Sequence, residues 1–117
     1  MKNCSVVDHA NDENFQKQII ESTIPVIVVF EKNYWGTTHI MKPILEQLAS
    51  EYAGVVKIFK YNLDDNSNIS ERYKIGNATT VLLFNKGKVV YKTGFISKGE
   101  FRKIVDSCLN NTLEPLG

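Results

Sequence analysis

Pro25-Val26-Ile27-Val28-Val29-Phe30 opens the stretch on which the reading of this chain turns. It is followed by Tyr34-Trp35-Gly36-Thr37-Thr38 and then by a helical pattern from His39 through Pro43-Ile44-Leu45 to Tyr52. The first piece is a nearly continuous β-branched run, as expected of a central strand buried on both faces. The last piece places Met41, Ile44, Leu45, Leu48, Ala49 and Tyr52 on one helical stripe, with Pro43 inside the pattern and a kink expected there. A buried strand handing over to an amphipathic helix is one half of a βαβ unit, whose crossover is right-handed.

Working outward, residues 3–8 read as a short strand. Asn11 or Asp12 then caps a helix with Phe15, Ile19 and Ile20 on its buried face. Residues 55–63 give another strand, followed by the polar turn Asp64-Asp65-Asn66-Ser67-Asn68 and a short helix over 69–73. Residues 80–84 and 88–93 flank Asn85-Lys86-Gly87, a three-residue link that reads as a β-hairpin. Ser97-Lys98-Gly99-Glu100 is a capping-box pattern opening a last helix to about Asn110, beyond which the tail to Gly117 is expected to fray. The predicted order is β-α-β-α-β-α-β-β-α: an α/β fold with a mixed central sheet and helices on both faces, in a single domain spanning residues 1–117.

Composition narrows the function. The chain has 117 residues, 43% hydrophobic and 23% charged, with a formal net charge of +1, enough to bury a core without disulfides or metals. Without a basic stripe, nucleic acid is not an expected partner. The N-terminus has no apolar signal-peptide core and the longest apolar run is too short to span a bilayer, so a cytoplasmic protein without membrane attachment is expected. Only two cysteines are present, Cys4 near the start and Cys108 on the apolar face of the last helix with Phe101, Ile104, Val105 and Leu109. Neither has a partner at two-residue spacing, so no dithiol or zinc motif is built, and no metal or other cofactor is expected.

The order of elements, together with Pro43-Ile44-Leu45, Asn62-Leu63-Asp64, Tyr73-Lys74-Ile75, Phe84-Asn85-Lys86-Gly87-Lys88-Val89 and Gly94-Phe95-Ile96-Ser97-Lys98-Gly99, resembles the thioredoxin family over essentially the whole chain. The resemblance implies a thioredoxin fold. It also implies that the redox motif Trp-Cys-Gly-Pro-Cys would fall on Tyr34, Trp35, Gly36, Thr37 and Thr38, so that Trp35 stands at the attacking cysteine and Thr38 at the resolving one. The family's buried acid falls on Val29 and its cis-proline on Thr79. Since a non-proline cis bond costs roughly 3 kcal/mol, Ala78–Thr79 is expected to be trans. Lys60 matches the family's strand lysine, with its carboxylate neighbour missing.

Thiol–disulfide exchange needs one thiolate to attack and a second thiol to resolve, and a threonine hydroxyl is not ionised near neutral pH. The expectation is therefore a redox-inactive, monomeric member of the family that acts by non-covalent protein binding, as an adaptor, assembly factor or holdase-type chaperone for a protein partner or unfolded clients. The family's substrate groove maps onto Trp35, Thr37, Asn77, Ala78, Thr79, Gly94 and Phe95. Trp35 has two readings, an exposed anchor or a side chain folded down to fill space. Exposed backbone before the fourth strand also suits pairing with an extended peptide. Three weaker readings stand beside this one. Thr37, Thr38 and His39 at a helix N-terminus suit an anion, though Thr37 is more simply an N-cap and His39 a solvent-facing residue. Asp64-Asp65 reads as a solvated turn rather than a calcium loop. The alternative function is a thioredoxin-type protein-disulfide oxidoreductase role in redox homeostasis, left with a residual monothiol activity through Cys4.

Overall fold

The computed structural model describes residues 7–110 and 113–116. Five strands form one sheet in the order β1-β3-β2-β4-β5: β1 (Asp8–Ala10), β2 (Val26–Glu31), β3 (Lys57–Asn62), β4 (Thr80–Asn85) and β5 (Lys88–Thr93). β1, β3 and β2 run parallel, β4 is antiparallel to β2, and β5 is antiparallel to β4. The helices are α1 (Gln16–Ile20, a single π-type turn), α2 (Gly36–Glu51), α3 (Asn68–Arg72) and α4 (Lys98–Leu109). This is the expected mixed α/β architecture, the thioredoxin fold.

β2 is buried at all six positions, and alternation sends its side chains into two separate cores. Ile27 and Val29 pack with Met41, Leu45 and Leu48 of α2 and Phe101, Val105 and Cys108 of α4. Val26, Val28 and Phe30 pack with Phe15 and Ile19 near α1, Ile69 of α3, and Phe84. Aromatic edges lock the second layer, Phe15 lying 5.5 Å from Phe84 and Phe30 4.9 Å from Tyr61 between ring centroids. On the first layer, Glu51 of α2 accepts a two-pronged bond from Arg102 of α4 at 2.9 and 2.8 Å and pairs with Lys98 at 2.8 Å. α2 runs unbroken through Pro43, which faces solvent.

Several local expectations change. Of the strand expected over 3–8, residues 3–6 lie outside the described residues, as does Cys4, and the observed strand begins at Asp8. β2 extends one residue past Phe30 to include Glu31. The hairpin link is two residues, Lys86 and Gly87, both at positive φ (54° and 82°), because that turn twists in the same sense as its strands. Past it, Val90 is an extra residue, since Phe84 faces Val89 while Leu83 faces Tyr91. The tail does not simply fray, for Leu116 N–H donates to Val89 O on the outer strand β5 at 2.7 Å.

The largest departure concerns Asp12. Asn11 closes the turn before α1 by accepting from the amides of Glu13 and Asn14 at 2.9 and 2.8 Å. Asp12 instead caps a different helix. Its carboxylate accepts from the amides of Ser67, Asn68 and Ile69 at the start of α3, at 3.3, 3.1 and 3.1 Å, and from Tyr61 Oη at 2.6 Å. Burial works to raise the Asp12 pKa, but the bonds from Tyr61, Ile69, Asn68 and Ser67 outweigh it and hold it below the usual carboxylate value. Burial and the same Tyr61–Asp12 bond push the Tyr61 hydroxyl up to about 12. A depressed carboxylate stabilises the fold above its unfolded pKa, and that contribution is lost as pH falls through the folded one. Asp12→Ala is expected to cost about 2 kcal/mol at pH 7 in urea unfolding, and its difference from the parent should shrink below about pH 4.

Candidate functional site

The segment after β2 turns sharply before entering α2. Trp35 N–H donates to Lys32 O at 3.1 Å, Thr38 N–H to Trp35 O at 3.1 Å, and the Thr38 hydroxyl to Lys32 O at 2.7 Å. Thr38, at the resolving-cysteine position, is thus a buried hydroxyl engaged in holding this turn. Trp35, with extended φ and ψ, flanks the first helical residue, Gly36, and caps α2 without a side-chain bond. Thr37 is therefore not the N-cap expected from sequence. Its hydroxyl is 2.6 Å from that of Thr79, tying the first turn of α2 to the loop before β4.

Thr79 is buried, and among the described residues every peptide bond is trans, Ala78–Thr79 included. The hydroxyl pair stands at two positions where the resemblance puts prolines, the motif's own proline at Thr37 and the cis-proline at Thr79. It can orient the two segments, but it offers no nucleophile, because no base contacts either oxygen among the bonds of the described residues. His39 is exposed and on a different part of the first turn.

The structure brings Trp35, Thr37, Asn77, Ala78, Thr79, Gly94 and Phe95 together as the walls of one shallow groove of about 460 Å³. These are the seven residues mapped from sequence. Phe95 is 46% exposed, and Trp35 is half-buried with Lys32 Nζ 5.9 Å from its ring centroid. Neither simple reading of Trp35 holds by itself. One part of the ring forms groove wall while another is covered by a cation, whose charge is attracted to the ring's electron-rich face. Tyr34, at 68% exposure, projects outside the groove. Asn77 and Ala78 are exposed at the groove, but in a bend rather than as extended backbone, and Ala78 O accepts from the Thr80 hydroxyl at 3.0 Å.

The other residues singled out in the sequence complete the picture. Val29, at the family's buried-acid position, is fully buried in the first core. Lys60 is not left without a carboxylate, contrary to expectation, because Glu31 Oε2 lies 3.3 Å from its Nζ. Sequence reasoning missed this because it ended β2 at Phe30. Carrying the alternation Val29, Glu31 one step further places Glu31 on the Lys60 side of the sheet. Asp64 pairs with Lys32 at 3.7 Å and Asp65 accepts from Asn62 at 3.0 Å, so their turn is tied by ordinary surface contacts. Cys108 is buried in the first core, and burial raises its thiol pKa, which keeps it unreactive.

Comparison with known proteins places the chain in a family. The family model described as Thioredoxin matches residues 6–107. The thioredoxin of Acidithiobacillus ferridurans is 35% identical over 102 residues, covering 86% of this chain and 94% of that protein. The thioredoxin of Allochromatium vinosum is 34% identical over 100 residues, covering 85% and 94%. That of Chlorobaculum thiosulfatiphilum is 38% identical over 98 residues, covering 83% and 91%. With its sheet order, its two-sided core and a groove assembled from the same positions, the chain belongs to the thioredoxin family.

Proposed function

We propose that this thioredoxin-family chain binds extended polypeptide segments non-covalently in the groove beside Trp35, as an adaptor, assembly factor or holdase. The observation that supports it is the joint one at the groove. Seven residues from three separated segments still converge, while the two positions that would carry thiols hold an indole and a buried hydroxyl. Half-exposed Trp35 and Phe95 supply apolar contact area, and aromatic anchors of this kind dominate many interfaces. Asn77 and Ala78, exposed in a bend beside Trp35 and Phe95, add polar groups to the same wall. The Thr37–Thr79 bond makes the groove a preorganised surface, which lowers the ordering cost of binding.

The comparisons favour a second reading more directly, because the relatives are all described as thioredoxins. On that reading the chain serves a thioredoxin-type protein-disulfide oxidoreductase role in redox homeostasis. Its chemistry here would have to run through one thiol. Cys108 is buried with a raised pKa, so that role falls to Cys4.

Trp35 is the sole tryptophan, so its fluorescence reports directly on the groove. Titration with a permanently unfolded, carboxymethylated polypeptide should give a saturable shift of the Trp35 emission. Trp35→Ala, followed by calorimetry, should weaken that binding by at least about 1 kcal/mol with Tm nearly unchanged. A marked loss of Tm with unaltered affinity would instead make Trp35 a packing residue. In an insulin-reduction assay with dithiothreitol the chain should show no acceleration above the blank; turnover that vanishes in Cys4→Ser would establish the oxidoreductase reading. Cys108 should resist alkylation in the native protein and react fully only once urea has unfolded it.

A further inference from the structure

A second cavity, of about 660 Å³, opens at the carboxyl ends of the parallel strands and shares no lining residue with the Trp35 groove. Topology places it. β2 passes into α2 on the face of Ile27 and Val29, whereas β3 leads to α3 on the opposite face with Val28 and Phe30. Two adjacent parallel strands whose outgoing connections diverge to opposite faces leave a crevice beyond their ends, which is where ligands of open α/β sheets bind.

The chemistry of the wall is specific. Four carboxylates line it, Asp12, Glu13, Glu31 and Asp65, against one ammonium, Lys60. Asp12 is committed, both its oxygens being occupied by α3 amides and Tyr61. Glu31 is different. It is 2% exposed, its Oε2 is held by Lys60 at 3.3 Å, and its buried Oε1 has no hydrogen-bond partner. A buried carboxylate oxygen without a donor is costly, so Glu31 calls for an N–H or O–H donor at this wall. Among the described residues no three His, Cys, Asp or Glu side chains are grouped to hold a metal ion, which directs attention to an organic cation. Only one oxygen is free, so the geometry suits the point charge of an ammonium rather than the two-pronged fork of a guanidinium.

We propose that this cavity binds a primary alkylammonium group, which donates to Glu31 Oε1 while its charge is balanced by the acidic mouth at Glu13 and Asp65. Oε1 is covered in the unliganded arrangement, so the cavity wall opens locally to admit the ligand. The same chemistry is carried by a free aliphatic amine and by the lysyl side chain of a polypeptide.

The test is an NMR titration of the intact, isotope-labelled chain near neutral pH with n-butylammonium, with Nα-acetyl-lysinamide, and with tetramethylammonium, a cation that carries no N–H. The first two should give saturable shifts around Glu31, Lys60 and Asn66 with a Kd of about 1 mM or tighter, and tetramethylammonium none. Tighter binding of butylammonium assigns the site to free amines; tighter binding of acetyl-lysinamide assigns it to lysyl side chains. Glu31→Gln should weaken the preferred probe at least tenfold. Should that variant fail to fold, Asp65→Asn at the exposed mouth keeps an acceptor for Asn62 and should weaken binding severalfold. No saturable response, an equal response to tetramethylammonium, or unchanged affinity in the folded variants would overturn the proposal.

Discussion

β2 has no solvent-facing side, and the rest of the molecule follows from that burial. A strand enclosed on both faces needs hydrophobic cover above and below, and here α2 and α4 supply one layer while α1 and α3 supply the other. It also needs a hydrogen-bonding neighbour on each edge, which β3 and β4 provide. The chain must therefore leave the far end of β2 in a tight turn and come back as α2. That end is where Trp35, Thr37 and Thr38 are delivered, and where Glu31 is drawn into the interior. Both cavities flank it for the same reason.

The site is held by three hydroxyls, Thr38 where the family resemblance puts sulfur and Thr37 and Thr79 where it puts prolines. A thiol pair confers reactivity, but it also fills space and fixes the first turn of the helix. In this chain the Thr38 hydroxyl takes over the fixing by bonding Lys32 O, and the Thr37–Thr79 bond spans the gap to the loop before β4. Each neutral hydrogen bond contributes on the order of 1 kcal/mol net. The turn after β2 and the loop before β4 are thereby held in place without sulfur.

Where short-range patterns govern the structure, the sequence was legible. The β-branched run of β2, the stripe from Met41 to Tyr52, and Ser97 with Glu100 each carry their own geometry, and the capping box forms as written. The groove could also be assembled in advance, because the resemblance supplied positions that composition does not. What escaped depends on distant partners. Asp12 looked like a cap for the helix after it, yet it caps α3 some fifty-five residues on, since the β1–β3 pairing carries Asp12 to the start of that helix. Glu31 looked like a loop residue, since a charge at a strand's end says nothing of the lysine that will face it. Thr37 looked like an N-cap until Thr79 took its hydroxyl.

The outer strands of any open sheet can recruit copies of themselves by edge-to-edge pairing. Both borders are defended here. β1 is only three residues long, too short to template a stable addition. β5 carries the extra residue Val90, which breaks the regular ladder, together with Lys88 and Lys92, and the tail docks on it through Leu116 and Val89. The bond from Leu116, minor in energy, thereby occupies a backbone acceptor that an added strand would need.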